Sequence, residues 1–209
     1  MTTVAVVAKQ CLPGRVKTRL CPPLTPEQAA HVAQAALDDT LATVRAVADD
    51  VVLYLDGDEA PASARGARVL AQCAGPLDVR LAHLLDACAG PLLLVGMDTP
   101  HLDPALLAAA VHAWPDGVDA WFGPATDGGF WALGLREPCG SFVRGVPMSL
   151  DTTGPQVRAR LVAGGLVVGE LPPLDDVDTV DDALRVAALA PATRFARALE
   201  LALGTGVPA

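Results

Sequence analysis

The sequence predicts an α/β fold in which helices cover both faces of a mostly parallel sheet. Short, continuously apolar runs, typical of strands buried on both faces, alternate with longer segments of helical periodicity. This alternation continues from Thr3 to Leu203 without a linker, a repeat or a low-complexity segment. The length of 209 residues suits one full-sized domain. We therefore expect residues 1–209 to form a single doubly wound domain.

The first strand and the first helix have the clearest signals. Thr3–Lys9 (TVAVVAK) is rich in β-branched residues and continuously apolar. Leu24–Ala48 has the period of a long helix. Thr25 is placed to cap that helix, with Pro26 in the first turn and Gln28 in the position that completes a capping box. These signals predict a strand followed by a helix.

The later elements repeat the pattern. Asp103 and Thr179 are placed to cap two of the later helices, the second with Asp182 in capping-box position, and Thr193 is a candidate cap for a C-terminal helix ending near Leu203. We expect the chain to fray after that helix, so 193–209 is predicted as a helix with a frayed tail. In order, the other elements are a strand at 50–56, a weaker strand at 67–72, a helix at 77–89, a strand at 91–98, a helix at 102–114, two strand-like runs around a glycine-rich turn at 118–135, a helix at 152–164, a strand at 166–171 and a helix at 179–190.

Composition limits the classes of function. The net charge of −9 and the isoelectric point of about 4.7 disfavour general nucleic-acid binding, although they leave room for a local basic pocket that binds one small anion. The five cysteines contain no CxxC pair, so we expect a reduced protein without disulfides or structural zinc. No signal-peptide pattern and no run of roughly 20 apolar residues is found, which predicts a cytoplasmic protein without a membrane partner. No feature specifies an oligomeric state.

Positive charge is concentrated in one loop after the first strand. Pro13 and Gly14 favour a tight turn there, while Thr18 and backbone N–H groups add hydrogen-bond donors suited to a di- or triphosphate. The spacing matches neither a Walker A loop nor GxGxxG, and a solvated surface loop is the alternative interpretation. The segment Ala8–Leu20 (AKQCLPGRVKTRL) holds both lysines of the chain and two arginines: Lys9, Arg15, Lys17 and Arg19.

Aspartates follow several of the predicted strands. Ligands of open α/β sheets bind at the carboxyl ends of strands, and carboxylates there can hold Mg²⁺ against a phosphate. Asp98 follows a strongly apolar strand and is not needed as a helix cap, because Asp103 takes that role. Two DxD pairs, Asp56 with Asp58 and Asp176 with Asp178, are further candidates that turns or caps explain equally well. Spacing alone does not rank these three sites.

Other polar groups carry weaker signals. Asp127, Gly128 and Gly129 form a turn between strand-like runs, either as a plain hairpin or as a backbone wall against an acceptor substrate. Ser149 is a candidate polar ligand. The absence of GxSxG disfavours an α/β-hydrolase. The four histidines have no partner by spacing and are interpreted as non-catalytic: His31, His83, His101 and His112.

Six segments in this order resemble the DUF2064 family, a group in the nucleotide-diphospho-sugar transferase superfamily with the GT-A fold. The resemblance runs from about Val4 to Leu184, and it extends to guanylyltransferases that activate phospholactate or phosphoenolpyruvate and to molybdenum-cofactor nucleotidyltransferases. Cys11, Met148 and Leu150 depart from the family's common motifs. The segments are AKQCLPGRVKTRL, LTPEQAA, GMDTPHLD, GPATDGGFWALGL, GVPMSLDTTGPQVRARL and LPPLDDVDTVDD.

The resemblance implies a single-domain, Rossmann-like GT-A fold and a division of roles among the residues above. Lys17 and Asp98 would be catalytic, and Asp56–Asp58 would be only a turn. Asp98 with Asp176, Asp178 or both would hold Mg²⁺ or Mn²⁺. The acceptor would contact Asp127, Gly128, Gly129 and Ser149. The nucleotide phosphates would bind Lys9, Gly14, Arg15, Lys17, Thr18 and Arg19.

The implied function is a Mg²⁺-dependent transferase with a small-molecule acceptor. The donor is either a nucleotide sugar, for glycosyl transfer, or a nucleoside triphosphate, for nucleotidyl transfer to a phosphate or carboxylate, and the sequence leaves both open. A nucleotide-binding protein without catalysis is the alternative. The presence of both the cations and the strand-end acids favours an enzyme.

Overall fold

The computed structural model describes residues 1–112 and 114–204, which form one seven-stranded sheet and six α-helices. The strands are β1 (Thr3–Lys9), β2 (Val51–Asp56), β3 (Arg68–Ala71), β4 (Leu92–Gly96), β5 (Ala120–Pro124), β6 (Phe130–Leu135) and β7 (Val168–Glu170). The helices are α1 (Pro26–Val47), α2 (Leu77–Ala87), α3 (Pro104–His112), α4 (Thr153–Ala163), α5 (Val180–Leu189) and α6 (Arg194–Ala202). The predicted alternation of strands and helices is confirmed.

The sheet is mostly parallel, as predicted. Its strand order is β3-β2-β1-β4-β6-β5-β7, and only β6 runs antiparallel to its neighbours in the described chain. The chain winds outwards from β1 in both directions, so β1 and β4 are adjacent and their carboxyl ends lie at the same edge, with Val7 beside Gly96. This is the switch point at which ligands bind in such sheets. The basic loop, defined as residues 9–20 from the end of β1 onwards, and Asp98 both lie at this edge.

Helices cover both faces, which confirms the predicted layers. On one face, Leu37 and Leu41 of α1 and Leu107 of α3 pack against the sheet. On the other face, Leu85 of α2 and Leu161 of α4 do the same. A third cluster joins α1 to α5 and α6. Burying apolar side chains on both faces removes the sheet from water, which is the main stabilising contribution of such a core.

The predicted caps form. Thr25 Oγ1 accepts a hydrogen bond from Gln28 N at 3.2 Å, and Gln28 Oε1 accepts one from Thr25 N at 2.8 Å, which completes the capping box of α1. Thr179 and Asp182 make the corresponding pair at α5. Asp103 accepts a hydrogen bond from Ala105 N at 2.8 Å, so it is occupied at the start of α3. Each such cap contributes about 1 kcal/mol.

Some boundaries differ from those predicted. β4 ends at Gly96 rather than at Asp98, so Met97 and Asp98 lie in the turn that follows. The weak third strand is real, but all its residues are exposed at the edge of the sheet, which explains its weak pattern. The frayed tail expected after Leu203 falls on residues 205–209, outside the described residues. Within those described, no helix is both long and apolar enough to span a bilayer.

Candidate functional site

The strand-end aspartates come together at the switch point. Val177 N donates a hydrogen bond to the carbonyl oxygen of Asp98 at 3.2 Å, which ties the segment before α5 to the turn after β4. Asp176 and Asp178 flank Val177, which is itself buried. The structure thus brings three of the predicted metal-site residues to one place, although they are far apart in the chain.

Lys17 lies between two of these aspartates. Its Nζ is 2.9 Å from Asp98 Oδ1 and 3.2 Å from Asp178 Oδ1, and only 7% of its side chain is exposed. Burial alone would lower the pKa of Lys17, but the negative charges of Asp98 and Asp178 outweigh it and raise that pKa above its ordinary value. Arg19, which is largely exposed, adds a second cation at 3.2 Å from Asp178 Oδ2. Asp178 is therefore neutralised by two cations.

The backbone of the basic loop directs Lys17 inward. Gly14 has a φ of 71° and Lys17 a φ of 49°, so the chain turns twice through the left-handed region. Such a conformation costs a lysine about 1 kcal/mol, and the two ion pairs offset it. Leu20 N then donates to the carbonyl oxygen of Lys17 at 3.0 Å, which starts a short 3₁₀ turn over Thr18–Leu20. Sequence periodicity did not predict this turn, because three residues are too few to show one.

The acidic cluster, formed by Asp98, Asp176 and Asp178, retains surplus negative charge. Asp98 Oδ1 is buried, and in the described chain Lys17, at 2.9 Å, is the one cation that pairs with it. Asp176 has no hydrogen-bond or ion-pair partner among the described residues. Burial, and then the charges of Asp98 and Asp127, raise its pKa to about 7, against a smaller opposite effect of Lys17. Within the described residues, no group of three or more potential ligand side chains is already arranged around a metal position.

Asp176 should make the stability of the protein depend on pH. Because its pKa is raised in the folded chain, ionisation of Asp176 destabilises the fold as pH rises from about 4 to about 7. In buffer with a chelator at pH 8, we expect Asp176→Asn to raise the free energy of unfolding by about 1–3 kcal/mol. The difference should shrink to about 0.5 kcal/mol near pH 4, where the carboxyl is protonated in the folded state and about half ionised in the unfolded state.

Urea denaturation at pH 4 and pH 8 measures this effect. Asp116→Asn, at an exposed position, is the matched control and should leave the free energy of unfolding unchanged at both pH values. A variant at Asp176 that is no more stable than the wild type at pH 8 would show that the carboxylate is not under electrostatic strain.

The turn between β5 and β6 is fixed by its glycines. Asp127 Oδ1 accepts a hydrogen bond from Gly129 N at 2.7 Å, and Gly154 N, at the start of α4, donates to Gly128 O at 2.8 Å. Gly128 has a φ of 89°, and a Cβ added there would collide with the backbone of Asp151. The turn therefore needs a glycine both for its conformation and for its close contact with the neighbouring loop.

We expect Gly128→Ala to destabilise the protein by about 2–4 kcal/mol, since it combines backbone strain with a backbone collision. Gly145→Ala separates the two effects, because Gly145 also has a positive φ, 75°, but has open space around its Cβ position. In Gly145→Ala the free energy of unfolding should fall by only about 1 kcal/mol. Thermal unfolding compares the two variants, and equal losses would mean that the contact with Asp151 contributes nothing.

A cavity of about 310 Å³ opens beside the acidic cluster. Ser149 lies at its wall, exposed and with a φ of 61°, a strained conformation for a serine. Thr153 Oγ1 accepts a hydrogen bond from Leu150 N at 3.1 Å and donates one to Pro147 O at 2.8 Å, which holds the loop that carries Ser149. Thr153 was not predicted as a site residue. Predicted site residues that line this cavity are Arg19, Asp98, Asp127, Gly129, Ser149, Asp176 and Asp178.

A second cavity, of about 360 Å³, lies at the ends of β1 and β2. Lys9 and Arg15 line it together with Asp56 and Asp58. Lys17 and Arg19 instead form ion pairs with Asp178 of the acidic cluster. The four cations of the loop therefore divide between two places rather than converging on one. Asp56 forms an ion pair with Arg80 at 2.9 Å. Gly14 and Thr18 are exposed on the loop.

Cys11, one of the positions that depart from the resembled motifs, is a packing residue. Its side chain lies against two hydrophobic clusters. Burial, and then the negative charge of Asp98 and Asp38, raise the pKa of its thiol to about 12, so the thiol stays protonated. The turn retains backbone hydrogen bonds on both sides of Cys11, including Arg15 N to Leu12 O at 3.1 Å.

Comparisons with known proteins give a family and a fold. The family model described as "Uncharacterized protein conserved in bacteria (DUF2064)" matches residues 25–150. A crystal structure from Desulfovibrio desulfuricans G20, of a protein provisionally named a nucleotide-diphospho-sugar transferase, is 22% identical, with 99% of each chain covered and a TM-score of 0.84. No curated protein matches the chain.

Two further solved structures are more distant. The 2-C-methyl-D-erythritol 4-phosphate cytidylyltransferase of Thermus thermophilus is 18% identical, over 91% of this chain and 100% of its own, with a TM-score of 0.54. Rv0371C of Mycobacterium tuberculosis H37Rv, in complex with manganese, is 24% identical over 88% and 97%, with a TM-score of 0.51. At these identities the likeness shows a shared fold, and the predicted nucleotidyltransferase and GT-A-like fold class is confirmed.

Proposed function

The chain belongs to the DUF2064 family, and on that premise we propose that it is a divalent-cation-dependent transferase that uses a nucleotide sugar or a nucleoside triphosphate. One observation carries the proposal. At the switch point, a buried lysine meets three aspartates that line the first cavity, and two further cations of the same loop line the second cavity. A site of this kind suits a donor with phosphates and a metal ion, with an acceptor on the other side.

Asp98 and Asp176 fit a divalent cation better than the other acids do. Asp98 shares one cation, Lys17, with Asp178, and Asp176 lacks a partner in the described chain. Asp178, by contrast, already has Lys17 and Arg19 beside it. Carboxylate oxygens are the ligands that Mg²⁺ and Mn²⁺ prefer. A cation bound there would neutralise negative charge on the phosphates of the donor. We assign Asp98 and Asp176 as the metal ligands.

The second cavity suits the nucleotide. Lys9 and Arg15 are exposed at its edge, and neither has an ion-pair partner in the described part of the chain. These two cations line one cavity together, and phosphate groups bound there would neutralise them. Asp58 lines the same cavity and can accept hydrogen bonds from ribose hydroxyls. Gly14 and Thr18 are exposed on the same loop, and we assign them, with the loop's N–H groups, to binding of the phosphates.

The first cavity suits the acceptor. Asp127 and Ser149 line it with polar groups, and Gly129 contributes backbone on the same side. Gly128 holds this wall by its contact with α4. Asp98 lines this cavity and forms an ion pair with Lys17, so we assign the two residues the catalytic role of binding and orienting the group that is transferred.

The names of structural relatives support this proposal without adding residue roles. They include a provisionally named nucleotide-diphospho-sugar transferase and a cytidylyltransferase, and one relative is a manganese complex. Glycosyl and nucleotidyl transfer are both consistent with a donor whose phosphates bind at the loop.

A thermal-shift screen of nucleoside triphosphates and nucleotide sugars, with Mg²⁺, with Mn²⁺ and with a chelator, tests the proposal. We expect a metal-dependent increase in Tm with at least one donor, and its loss in the Lys9→Gln/Arg15→Gln double variant. Arg197→Gln, at an exposed position on α6, is the matched control and should retain the shift. No shift with any donor would contradict the proposal, and binding without turnover in any acceptor screen would favour the non-catalytic alternative.

A further inference from the structure

One side of the first cavity is apolar. Four half-buried side chains line it where the second core cluster reaches the surface, and two buried leucines lie among them. Apolar surface that is gathered in a concave site is usually covered by a ligand with an apolar part. These six residues, defined here as the apolar wall, are Val7, Leu77, Leu81, Leu94, Phe130 and Met148.

The polar part of the lining is acidic. Four aspartates line it, and within the described residues Arg19 is the sole cation of the lining. Arg19 is 71% exposed and already lies 3.2 Å from Asp178. Lys17 is also engaged, by Asp98 and Asp178. With the proposed divalent cation held by Asp98 and Asp176 and taken up by the donor phosphates, a phosphate or carboxylate on an acceptor would still meet the negative charge of Asp127 without a free cation of the lining to bind it. This juxtaposition is unfavourable.

Hydroxyl groups suit the polar side better. An alcohol can donate a hydrogen bond to a carboxylate such as Asp127 and accept one from Ser149, and both of these residues line the cavity. Asp127 keeps acceptor capacity for a ligand, because Gly129 N is the one donor that the described chain places on it. The polar and apolar sides together describe an amphipathic and uncharged ligand.

We propose that the acceptor is an uncharged molecule that carries a hydroxyl group next to an apolar moiety, and that the transferred group is therefore a glycosyl group. The inference rests on the proposed function for its donor. The acceptor oxygen forms a bond to the anomeric carbon of the donor sugar. The bond from that carbon to the diphosphate oxygen breaks, and the nucleoside diphosphate leaves with the electron pair. The hydroxyl proton passes to the carboxylate of Asp127.

Three matched probes test the acceptor class without any nucleotide. Phenyl β-D-glucoside is uncharged and partly apolar, phenyl β-D-glucuronide adds a carboxylate, and methyl β-D-glucoside lacks the apolar ring. We measure their dissociation constants by ligand-observed NMR on the full chain in buffer with a chelator. Phenyl glucoside should bind about 10-fold tighter than methyl glucoside, from burial of the ring, and at least about 5-fold tighter than the glucuronide, from charge.

Two variants locate the binding. Met148→Gln should reduce several-fold the ratio of the dissociation constants of methyl and phenyl glucoside. Asp127→Asn should reduce the ratio of the dissociation constants of phenyl glucuronide and phenyl glucoside. Asp116→Asn, at an exposed position away from this lining, should change neither preference. Thermal unfolding of each variant in the same buffer confirms that the protein remains folded.

The outcomes separate this inference from the proposed function. Three results would overturn the inference alone, provided that the protein still shows a metal-dependent nucleotide shift. The glucuronide could bind as tightly as phenyl glucoside or more tightly, methyl glucoside could bind as tightly as phenyl glucoside, or no probe could bind. If phenyl glucoside binds as expected and both variants respond, but no donor shifts the Tm, then the cavity assignment stands and the donor chemistry is wrong.

Discussion

Asp98→Asn is expected to weaken the binding of Mn²⁺ in the presence of nucleotide by about 100-fold or more. Loss of a group that only supports a metal ligand costs 10–100-fold in affinity, and loss of a ligand itself should cost at least the upper end of that range. Asparagine has nearly the same shape as aspartate, and Lys17 keeps its second partner, Asp178, so the fold should remain intact. Turnover, where a donor and an acceptor are known, should fall in parallel.

Mn²⁺ binding followed by electron paramagnetic resonance measures this loss. Asp58→Asn is the informative control, because Asp56 and Asp58 form the DxD pair that the sequence alone did not exclude. We expect Asp58→Asn to retain Mn²⁺ binding, since Asp56 is engaged by Arg80 and both residues lie at the other cavity. If Asp58→Asn abolished Mn²⁺ binding while Asp98→Asn did not, the metal site would lie at the end of β2.

Lys17→Met should have the second large effect, on the stability of the cation-free protein. Methionine keeps most of the volume of the buried side chain but leaves Asp98, Asp176 and Asp178 without their central cation. Breaking a fully buried pair costs 3–5 kcal/mol. The side chains of Asp98 and Asp178 are 34% and 40% exposed, and water screens them, so we expect a loss of about 2 kcal/mol at pH 8.

The sign of the pH dependence follows from the raised pKa of Lys17. Its contribution is present in full below the ordinary value of 10.5 and is lost only as pH rises through the higher pKa of the folded state. The loss in Lys17→Met should therefore be undiminished from neutral pH up to about pH 10 and should decrease only at higher pH.

Denaturation of Lys17→Met with and without Mn²⁺ provides the critical comparison. Because a divalent cation can replace the missing ammonium, Mn²⁺ should stabilise the variant more than it stabilises the wild type. Lys9→Met, at an exposed lysine without an ion pair in the described chain, should lose little stability. A loss that is equal in the two variants, or that Mn²⁺ does not reduce, would show that Lys17 does not neutralise the cluster.

Much of the fold could be predicted because local and global signals agree. The capping box at Thr25 and Gln28, the apolar run of β1 and the turn residues Gly128 and Gly129 each predict the element that the structure contains. The edge strand β3 was harder to predict from the sequence, because all its residues are exposed and no buried face produces a hydrophobic pattern. The end of β4 was placed too late, because the apolar side chain of Met97 is buried in the turn as it would be in a strand.

The site could be predicted only in part. The sequence identified the acids and cations, because charged residues at strand ends stand out from an apolar chain. It did not show that Lys17 turns inward while Lys9 and Arg15 face another cavity, since this depends on two left-handed backbone conformations. The apolar wall was missed for a different reason: Phe130 and Met148 look like core residues in sequence, and only the structure shows that they line a cavity.

A crystal structure with Mn²⁺ and a nucleoside diphosphate, with the metal located by its anomalous signal, tests the central claim most directly. The claim is that the strand-end acids hold a divalent cation against the phosphates of a nucleotide bound at the basic loop. We predict one Mn²⁺ peak in contact with the carboxylates of Asp98 and Asp176, with phosphate oxygens beside it. A nucleotide bound elsewhere, or a Mn²⁺ peak at Asp56 and Asp58 instead, would contradict the claim.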